Sequence, residues 1–334
     1  MRININYPAI QISTIGRSRF IQPMQDDNKL VFMAGCFANN LQFSSICKLK
    51  NIHSVIMAAQ LKIALIQLDS FPTKQAAITN AINQIRIAAK DKGAKLVILP
   101  ECWNSTYCTK EFPRSAEQIP NGETSKALSK ISGELGITLI GGTYPEVESG
   151  KLFNTCPVWG PKGEFIGKYR KMHLFDMDIP GTCTFKESSV LTAGNEFLTF
   201  NVGEVKIGVG ICYDQRFQGL ATVYRNRGCD LMIYPSAFDT YTGPMHFELI
   251  AQARALDNGM FVALCAPARD TTKDYVAYGY STVCDPWGRV LSRAKEGPET
   301  LIVNLDMGLR DSIRRQIPTQ KQKRADVYEV VCKK

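Results

Sequence analysis

Histidine is the scarcest chemically versatile residue in this chain. There are three in 334 residues, His53, His173 and His246, and none sits at metal-ligand spacing from another. That scarcity argues against a histidine-built metal centre. The eleven cysteines contain no CxxC pair, which removes the zinc-ribbon and dithiol redox motifs. No apolar run approaches the ~20 residues of a membrane-spanning helix. The chain also lacks a GxSxG serine elbow, a Walker A loop, an HExxH helix and a GxGxxG turn opening a helix after a strand. A basic stripe is missing too. Of the net +9, residues 1–57 carry +4 (Arg2, Arg17, Arg19, Lys29, Lys48 and Lys50 against Asp26 and Asp27), leaving +5 spread over the remainder. A mild, dispersed excess of that kind gives no reason to expect nucleic acid as a partner.

What is present reads as a globular α/β protein. The chain is 45% apolar and 21% charged, long enough for one large domain or two ordinary ones. An odd cysteine count in a chain of this size, with no secretory pattern at its start, points to free thiols in a reducing compartment, most of them small apolar fillers. Residues 1–57 are basic, lack sustained periodicity and end at Met57, where a strand pattern begins. They read either as a mitochondrial presequence or as an extension upstream of Met57, poorly ordered in both cases. The expected location is cytoplasmic, and also mitochondrial if the presequence reading holds.

From Leu61 onward strands and helices alternate. Leu61–Leu68 is an apolar strand. Thr73 caps a helix whose Ile78, Ile82, Ile85 and Ala89 recur at helical spacing until Gly93. Leu96–Leu99 is a buried strand ending at Pro100-Glu101. A helix over Ser125–Leu135 stops at Gly136 and leads to a strand over Ile137–Gly141. Strands over Phe153–Trp159 and Glu164–Lys168 pair around Gly160-Pro161-Lys162-Gly163. The second half repeats the theme: strand Val205–Ile211, helix Leu220–Arg227, strand Leu231–Tyr234, helix His246–Leu256 and strand Phe261–Cys265. Two strands then flank Asp285-Pro286-Trp287-Gly288, strand Thr300–Leu305 follows, and a short helix precedes a basic tail. βα units mixed with hairpins predict mixed sheets, and no linker divides residues 61–305. The expected arrangement is two halves packed sheet against sheet.

Three residues stand out for their chemistry. Cys212 ends the Gly-rich strand Gly208-Val209-Gly210-Ile211 before a helix, where a nucleophile is lifted above the sheet toward backbone N–H groups; the competing reading is a buried structural thiol. Glu101 leaves the strand Val97-Ile98-Leu99-Pro100 at its carboxyl edge, where α/β folds gather their sites; there, beside Cys102 and Trp103, it is suited to act as a base, or it is a surface carboxylate. Lys171, in Lys168-Tyr169-Arg170-Lys171, is either part of a solvated edge or an ammonium that holds an oxyanion. His246, at a helix start, reads as a packing or capping residue.

Taken together, Leu99-Pro100-Glu101, Lys168-Tyr169-Arg170-Lys171 and Gly210-Ile211-Cys212-Tyr213-Asp214-Gln215-Arg216-Phe217 resemble the nitrilase superfamily of carbon–nitrogen hydrolases, in order and spacing, from about Lys62 to Tyr328. The narrower likeness is to its omega-amidase branch. It rests on His173-Leu174-Phe175-Asp176, Ile179-Pro180-Gly181, Phe185-Lys186-Glu187-Ser188, Ala266-Pro267-Ala268-Arg269-Asp270 and Asp285-Pro286-Trp287-Gly288. Phe247 and Ser236 depart from that branch, which often carries Trp and Gly there.

The resemblance implies a four-layer α-β-β-α sandwich with two mixed β-sheets, spanning residues 58–334, usually as a homodimer or larger assembly, a homodimer being expected here. It implies Glu101 as general base, Lys171 as oxyanion-holding cation, Cys212 as nucleophile, Glu187 as a second glutamate and the Tyr213 backbone N–H as an oxyanion donor. No metal or organic cofactor, nucleic acid or membrane is implied. The substrate implied is a small amide of a dicarboxylic 2-oxo acid, α-ketoglutaramate or α-ketosuccinamate. Its carboxylate needs a cation or hydroxyl, for which Arg216, Tyr107, Tyr169, Tyr241 and Thr242 are candidates, although Arg216 is also placed to brace the turn by pairing with Asp214. The rival within the superfamily is deaminated glutathione amidase. The rival of another class is a catalytically silent dimeric scaffold.

Overall fold

A computed structural model describes residues 60–180 and 183–333. The extension expected over residues 1–57 lies outside the described residues. The first half of the described chain runs β1 (Gln60–Gln67), α1 (Lys74–Arg86), β2 (Leu96–Ile98), α2 (Phe112–Ser115), α3 (Glu123–Leu135), β3 (Thr138–Ile140), β4 (Tyr144–Glu148), β5 (Lys151–Trp159) and β6 (Phe165–Arg170). A hairpin, β7 (Asp176–Ile179) and β8 (Cys183–Lys186), separates it from the second half. That half comprises β9 (Thr199–Val202), β10 (Val205–Val209), α4 (Gln218–Asn226), β11 (Leu231–Pro235), α5 (Gly243–Asn258), β12 (Phe261–Cys265), β13 (Thr282–Cys284), β14 (Val290–Arg293), β15 (Glu299–Asp306) and α6 (Met307–Gln316).

Local chemistry explains the central elements. Thr73 Oγ1 accepts the Ala76 N–H and starts α1, which buries Ala77, Ile78, Ala81 and Ile85. α3 ends at Gly136, whose φ of +62° suits glycine. Along β1, Ile63 and Leu65 face one way and Ala64 and Ile66 the other, so one strand serves two cores. Each such Ile or Leu is fully buried and worth about 1.5–3 kcal/mol.

One sheet has the order β15-β1-β2-β3-β5-β4, with β6 also paired to β5; the other runs β14-β13-β12-β11-β10-β9. In each sheet a parallel trio lies at the centre, β1-β2-β3 and β10-β11-β12, with antiparallel strands at the flanks. Ile63, Leu65, Leu96 and Ile98 of the first sheet share a core with Ile207, Val209, Leu231 and Ile233 of the second. Behind the first sheet, α1 and α3 pack on Ala64, Ile66, Val97 and Leu99. Residues of α4 and α5, Leu220, Tyr224, Phe247 and Ala251, join the core of the second sheet. This is the four-layer α-β-β-α sandwich with two mixed sheets that the resemblance implied. No helix among the described residues is long and apolar enough to cross a membrane.

The structure departs from the expected elements in physically instructive places. α1 passes into a π-helical turn over Ile87–Asp91 before Gly93. β4 escapes the sequence pattern because its YPEVE carries a proline and two glutamates; Lys168 and Arg170 of β6 neutralise those charges across the sheet. The β7–β8 hairpin is too short and too polar to show a period, and β9 is only four residues long.

Candidate active site

Glu101 and Cys212 each leave the carboxyl end of a central parallel strand, one in each sheet. Beyond β2, the Pro100 carbonyl accepts the Thr143 N–H, and Thr143 Oγ1 accepts the Cys102 N–H. At Gly142, with φ +62°, a Cβ would stand 2.3 Å from the Pro100 oxygen, so only glycine lets these two segments cross. Beyond β10, a Cβ on Gly210 would meet the Tyr234 ring at 2.5 Å. Cys212 then opens a 3-10 turn, Cys212–Arg216, with φ +44°, a left-handed conformation costly for a residue with a side chain. Asp214 holds that turn: its Oδ2 accepts the Ile211 N–H at 2.9 Å and the Tyr169 hydroxyl at 2.8 Å.

Lys171 follows β6, where period-two alternation sorts the basic run. Lys168 and Arg170 point to Glu146 and Glu148, while Tyr169 is fully buried. Lys171 itself has no exposed surface, so it is no solvated edge. Its Nζ lies 3.0 Å from Glu101 Oε1 and 3.0 Å from Glu187 Oε1. Glu187, fully buried at the end of the β7–β8 hairpin, also accepts the Tyr107 hydroxyl at 2.8 Å and the Phe175 N–H at 2.7 Å. Asn154 Nδ2 donates to Glu101 Oε1 at 2.8 Å, and Glu101 also shares a hydrogen bond with the Cys212 thiol.

Burial governs the electrostatics. Desolvation raises the Glu101 pKa above the ordinary carboxylate range against the pull of Lys171, and the charge of Glu187 raises it further. Burial opposes the charge on Lys171, but Glu101 and Glu187 outweigh it and hold the ammonium protonated well above its usual range. The Cys212 thiol is pushed up by burial and by Glu101; Lys171 and the Ala237 N–H, which hydrogen-bonds the sulfur, act the other way. The site thus sets a thiol and a carboxylate whose pKa values burial raises beside a cation that two glutamates hold charged. A thiol, a base and a cation so arranged can form a thiolate only as it attacks, and can bind an oxyanion as it appears.

An aromatic wall encloses these groups. Tyr107 packs on Tyr275, Phe185 and Phe112, with ring centroids 4.5, 5.5 and 5.9 Å away, and Phe175 packs on Phe185 and Tyr213. A cavity of about 810 Å³ opens on the side of Glu101, Tyr107, Phe185 and Tyr275. A small cleft of about 10 Å³ holds Cys212, Tyr213, Arg216, Ala237, Asp239, Thr242 and Tyr275.

The substrate-contact candidates sort clearly. Tyr107 and Arg216 line the cavities, and so does Thr242, whose hydroxyl is already spent on Asp239. Tyr169 does not reach either cavity, because Asp214 takes its hydroxyl and the core takes its ring. Tyr241 is half exposed and lines neither. The expected Arg216–Asp214 pair is absent. Asp214 is already filled by Ile211, Tyr169 and both the backbone N–H and Nδ1 of His173. Asn154, Ala237 and Tyr275 were not found from the sequence: Asn154 and Ala237 lie mid-strand or in a bland loop, and Tyr275 sits in a polar loop whose fold alone brings it inward.

Comparison with known proteins gives the family and the fold. A model of the carbon-nitrogen hydrolase family matches residues 62–315. The chain is 51% identical to omega-amidase NIT2 of Homo sapiens over 275 residues, 82% of this chain and 98% of that one. Against omega-amidase NIT2 of Mus musculus the identity is 50% over 273 residues, covering 82% and 98%. Among solved structures, Saccharomyces cerevisiae Nit3, described as a member of branch 10 of the nitrilase superfamily, superposes with a TM-score of 0.74 at 40% identity, covering 80% of this chain and 97% of that one.

Proposed function

This chain belongs to the carbon–nitrogen hydrolase family and is an amide-hydrolysing enzyme, and from that premise we propose that it is an omega-amidase, releasing ammonia from the terminal amide of α-ketoglutaramate and α-ketosuccinamate. Arg216 carries this reading. It shares the small cleft with Cys212, no carboxylate among the described residues pairs with it, and its buried Nε has no partner. A buried guanidinium edge beside a nucleophile suits a substrate with a carboxylate at one end and an amide at the other.

The proposed chemistry uses the groups as they stand. Glu101 takes the Cys212 proton as the sulfur attacks the amide carbon. The developing oxyanion is held by the Lys171 ammonium and the Tyr213 backbone N–H. Glu101 returns the proton to the departing nitrogen, ammonia leaves and a thioester remains. Water, deprotonated by Glu101, then attacks the thioester; the carboxylic acid departs and the proton returns to sulfur. Glu187 and Tyr107 keep Lys171 charged and aimed. The protein's own groups handle every proton and charge in this scheme, so it calls for no cofactor. The same reading makes the protein a homodimer, supported by the exposed Met245, Leu249 and Leu256 on α5; mass measurement in solution tests it.

The deciding experiment measures ammonia release from α-ketoglutaramate beside deaminated glutathione. A large kcat/KM preference for the ketoacid amide is expected. The reverse preference would overturn the substrate and leave the thioester scheme.

A further inference from the structure

Arg216 is held in place by a histidine that the scheme above does not use. His246 Nδ1, on the first turns of α5, lies 3.1 Å from Arg216 Nη1. A guanidinium has five donors and no acceptor, so the imidazole must accept at Nδ1 and be the neutral tautomer protonated at Nε2. The Phe238 ring lies 4.6 Å from the guanidinium carbon and confines one face of the group. With Nη1 occupied and one face covered, the buried Nε has no hydrogen-bond partner among the described residues, and it shares with Nη2 the edge that grips a carboxylate through two parallel hydrogen bonds.

The cleft also keeps its own acid away from that fork. Asp239 lines it beside Arg216, yet its Oδ1 accepts the Tyr241 and Thr242 N–H groups and its Oδ2 the Thr242 hydroxyl, and it makes no ion pair with Arg216. Arg216 therefore has no ion-pair partner among the described residues.

We propose that His246 is a specificity-determining positioning residue, whose neutral Nδ1 fixes Arg216 so that the Nε–Nη2 edge meets the carboxylate of the amide substrate. The proposal rests on the reading of Arg216 as the carboxylate anchor. It places selectivity on an imidazole that touches neither the reacting amide nor, in the scheme above, any transferred proton.

The test compares α-ketoglutaramate with the uncharged pentanamide in the full-length enzyme and three variants, His246→Leu, His246→Asn and Arg216→Gln. His246→Leu removes the acceptor. It is expected to raise KM for α-ketoglutaramate about tenfold with kcat within about twofold, and to leave kcat/KM for pentanamide little changed. His246→Asn, whose amide oxygen can accept near the position of Nδ1, is expected to recover most of the selectivity, which a purely structural role would not require. Arg216→Gln is expected to abolish the preference for the charged substrate. If His246→Leu lowers both substrates alike, or lowers kcat in place of raising KM, or if selectivity survives it while Arg216→Gln destroys it, the role of His246 falls and that of Arg216 stands. If Arg216→Gln leaves selectivity intact, the carboxylate reading falls and the proposal with it. Should the leucine variant not fold, the asparagine variant decides: a selectivity as low as that of Arg216→Gln sinks the proposal.

Discussion

Cys212 sits in a left-handed backbone conformation, buried, with a thiol whose pKa burial and Glu101 push up. Replacing its sulfur should therefore end turnover outright. Cys212→Ala is expected to release no ammonia above background while keeping the wild-type circular dichroism spectrum, and persistent turnover would remove the thioester scheme. Lys171 supplies the fixed positive charge, and Lys171→Ala should lower kcat by about two to three orders of magnitude, the loss typical of one oxyanion donor. A loss smaller than about tenfold would make Lys171 a structural counter-ion. Tyr107 donates to Glu187, which in turn orients Lys171. Tyr107→Phe should cost about tenfold in kcat, the scale of one hydrogen bond to a charged group. The pH profile follows from Glu101. Its pKa is raised, and it works as a base only when ionised, so activity should fall as pH drops through that raised value. The acid limb of kcat/KM is then expected above the ordinary glutamate range of about 4.3. A limb at or below that value would mean that Glu101 is not the base.

β4 and β6 show how an element can be assembled from charges. Glu146 is buried in the sheet, bonded to the Thr155 hydroxyl at 2.7 Å and paired with Lys168 and Arg170, which also reach Glu148. Arg170 further stacks on Phe153, its guanidinium carbon 3.8 Å from the ring centroid. Glu146→Gln would leave two partly buried cations short of a counter-ion and is expected to destabilise the fold by about 3 kcal/mol in denaturant titrations. Hydrogen bonds from Arg170 and Lys168 hold Glu148 at a pKa of about 2, below its usual 4.5, and these residues also keep Glu146 below its ordinary value. Depressed carboxyl pKa values stabilise the folded state above pH 4.5, and that contribution disappears as pH falls toward 2. The Gln variant should accordingly show a shallower loss of stability across that interval than the wild type. The same two strands hold Lys171 at the far end of β6, so a fault in this charge ladder is also expected to reach kcat.

At the scale of the molecule, the site is a seam. Glu101 and Lys171 come from the first sheet, Glu187 from the hairpin between the halves, and Cys212 and Arg216 from the second sheet. The two sheets are tied near the ends of their strands: Cys265 Sγ donates to the Ile98 oxygen at 3.4 Å, and Gln67 bonds Ser281 and Lys295 across them. Loosening the shared core should therefore cost activity and stability together. Leu65→Ala, at a fully buried position facing the second sheet, is expected to cost about 2–5 kcal/mol and to lower the temperature at which turnover is lost. Every residue of the proposed site lies between Glu101 and Tyr275, so a chain started at Met57 is expected to keep the kcat/KM of the 334-residue chain.

Local sequence determined much of this protein. Apolar runs marked the parallel core strands and Thr73 and Gly136 the helix ends, because strands and caps depend on neighbours only a few residues away, whereas Glu101, Lys171 and Cys212 stood out together only through the family resemblance of their three motifs. It could not decide which charges are interior. Lys168, Arg170 and Lys171 are alike as letters, and only the sheet separates the two that face glutamates at its edge from the one sealed between Glu101 and Glu187. Nor could it tell that Asp214 is already filled, which leaves Arg216 unpaired, or that Tyr169 is turned away while Tyr275 closes the cavity. Those outcomes turn on burial and on competition for a limited number of hydrogen-bond acceptors, quantities that exist only once distant segments share one interior.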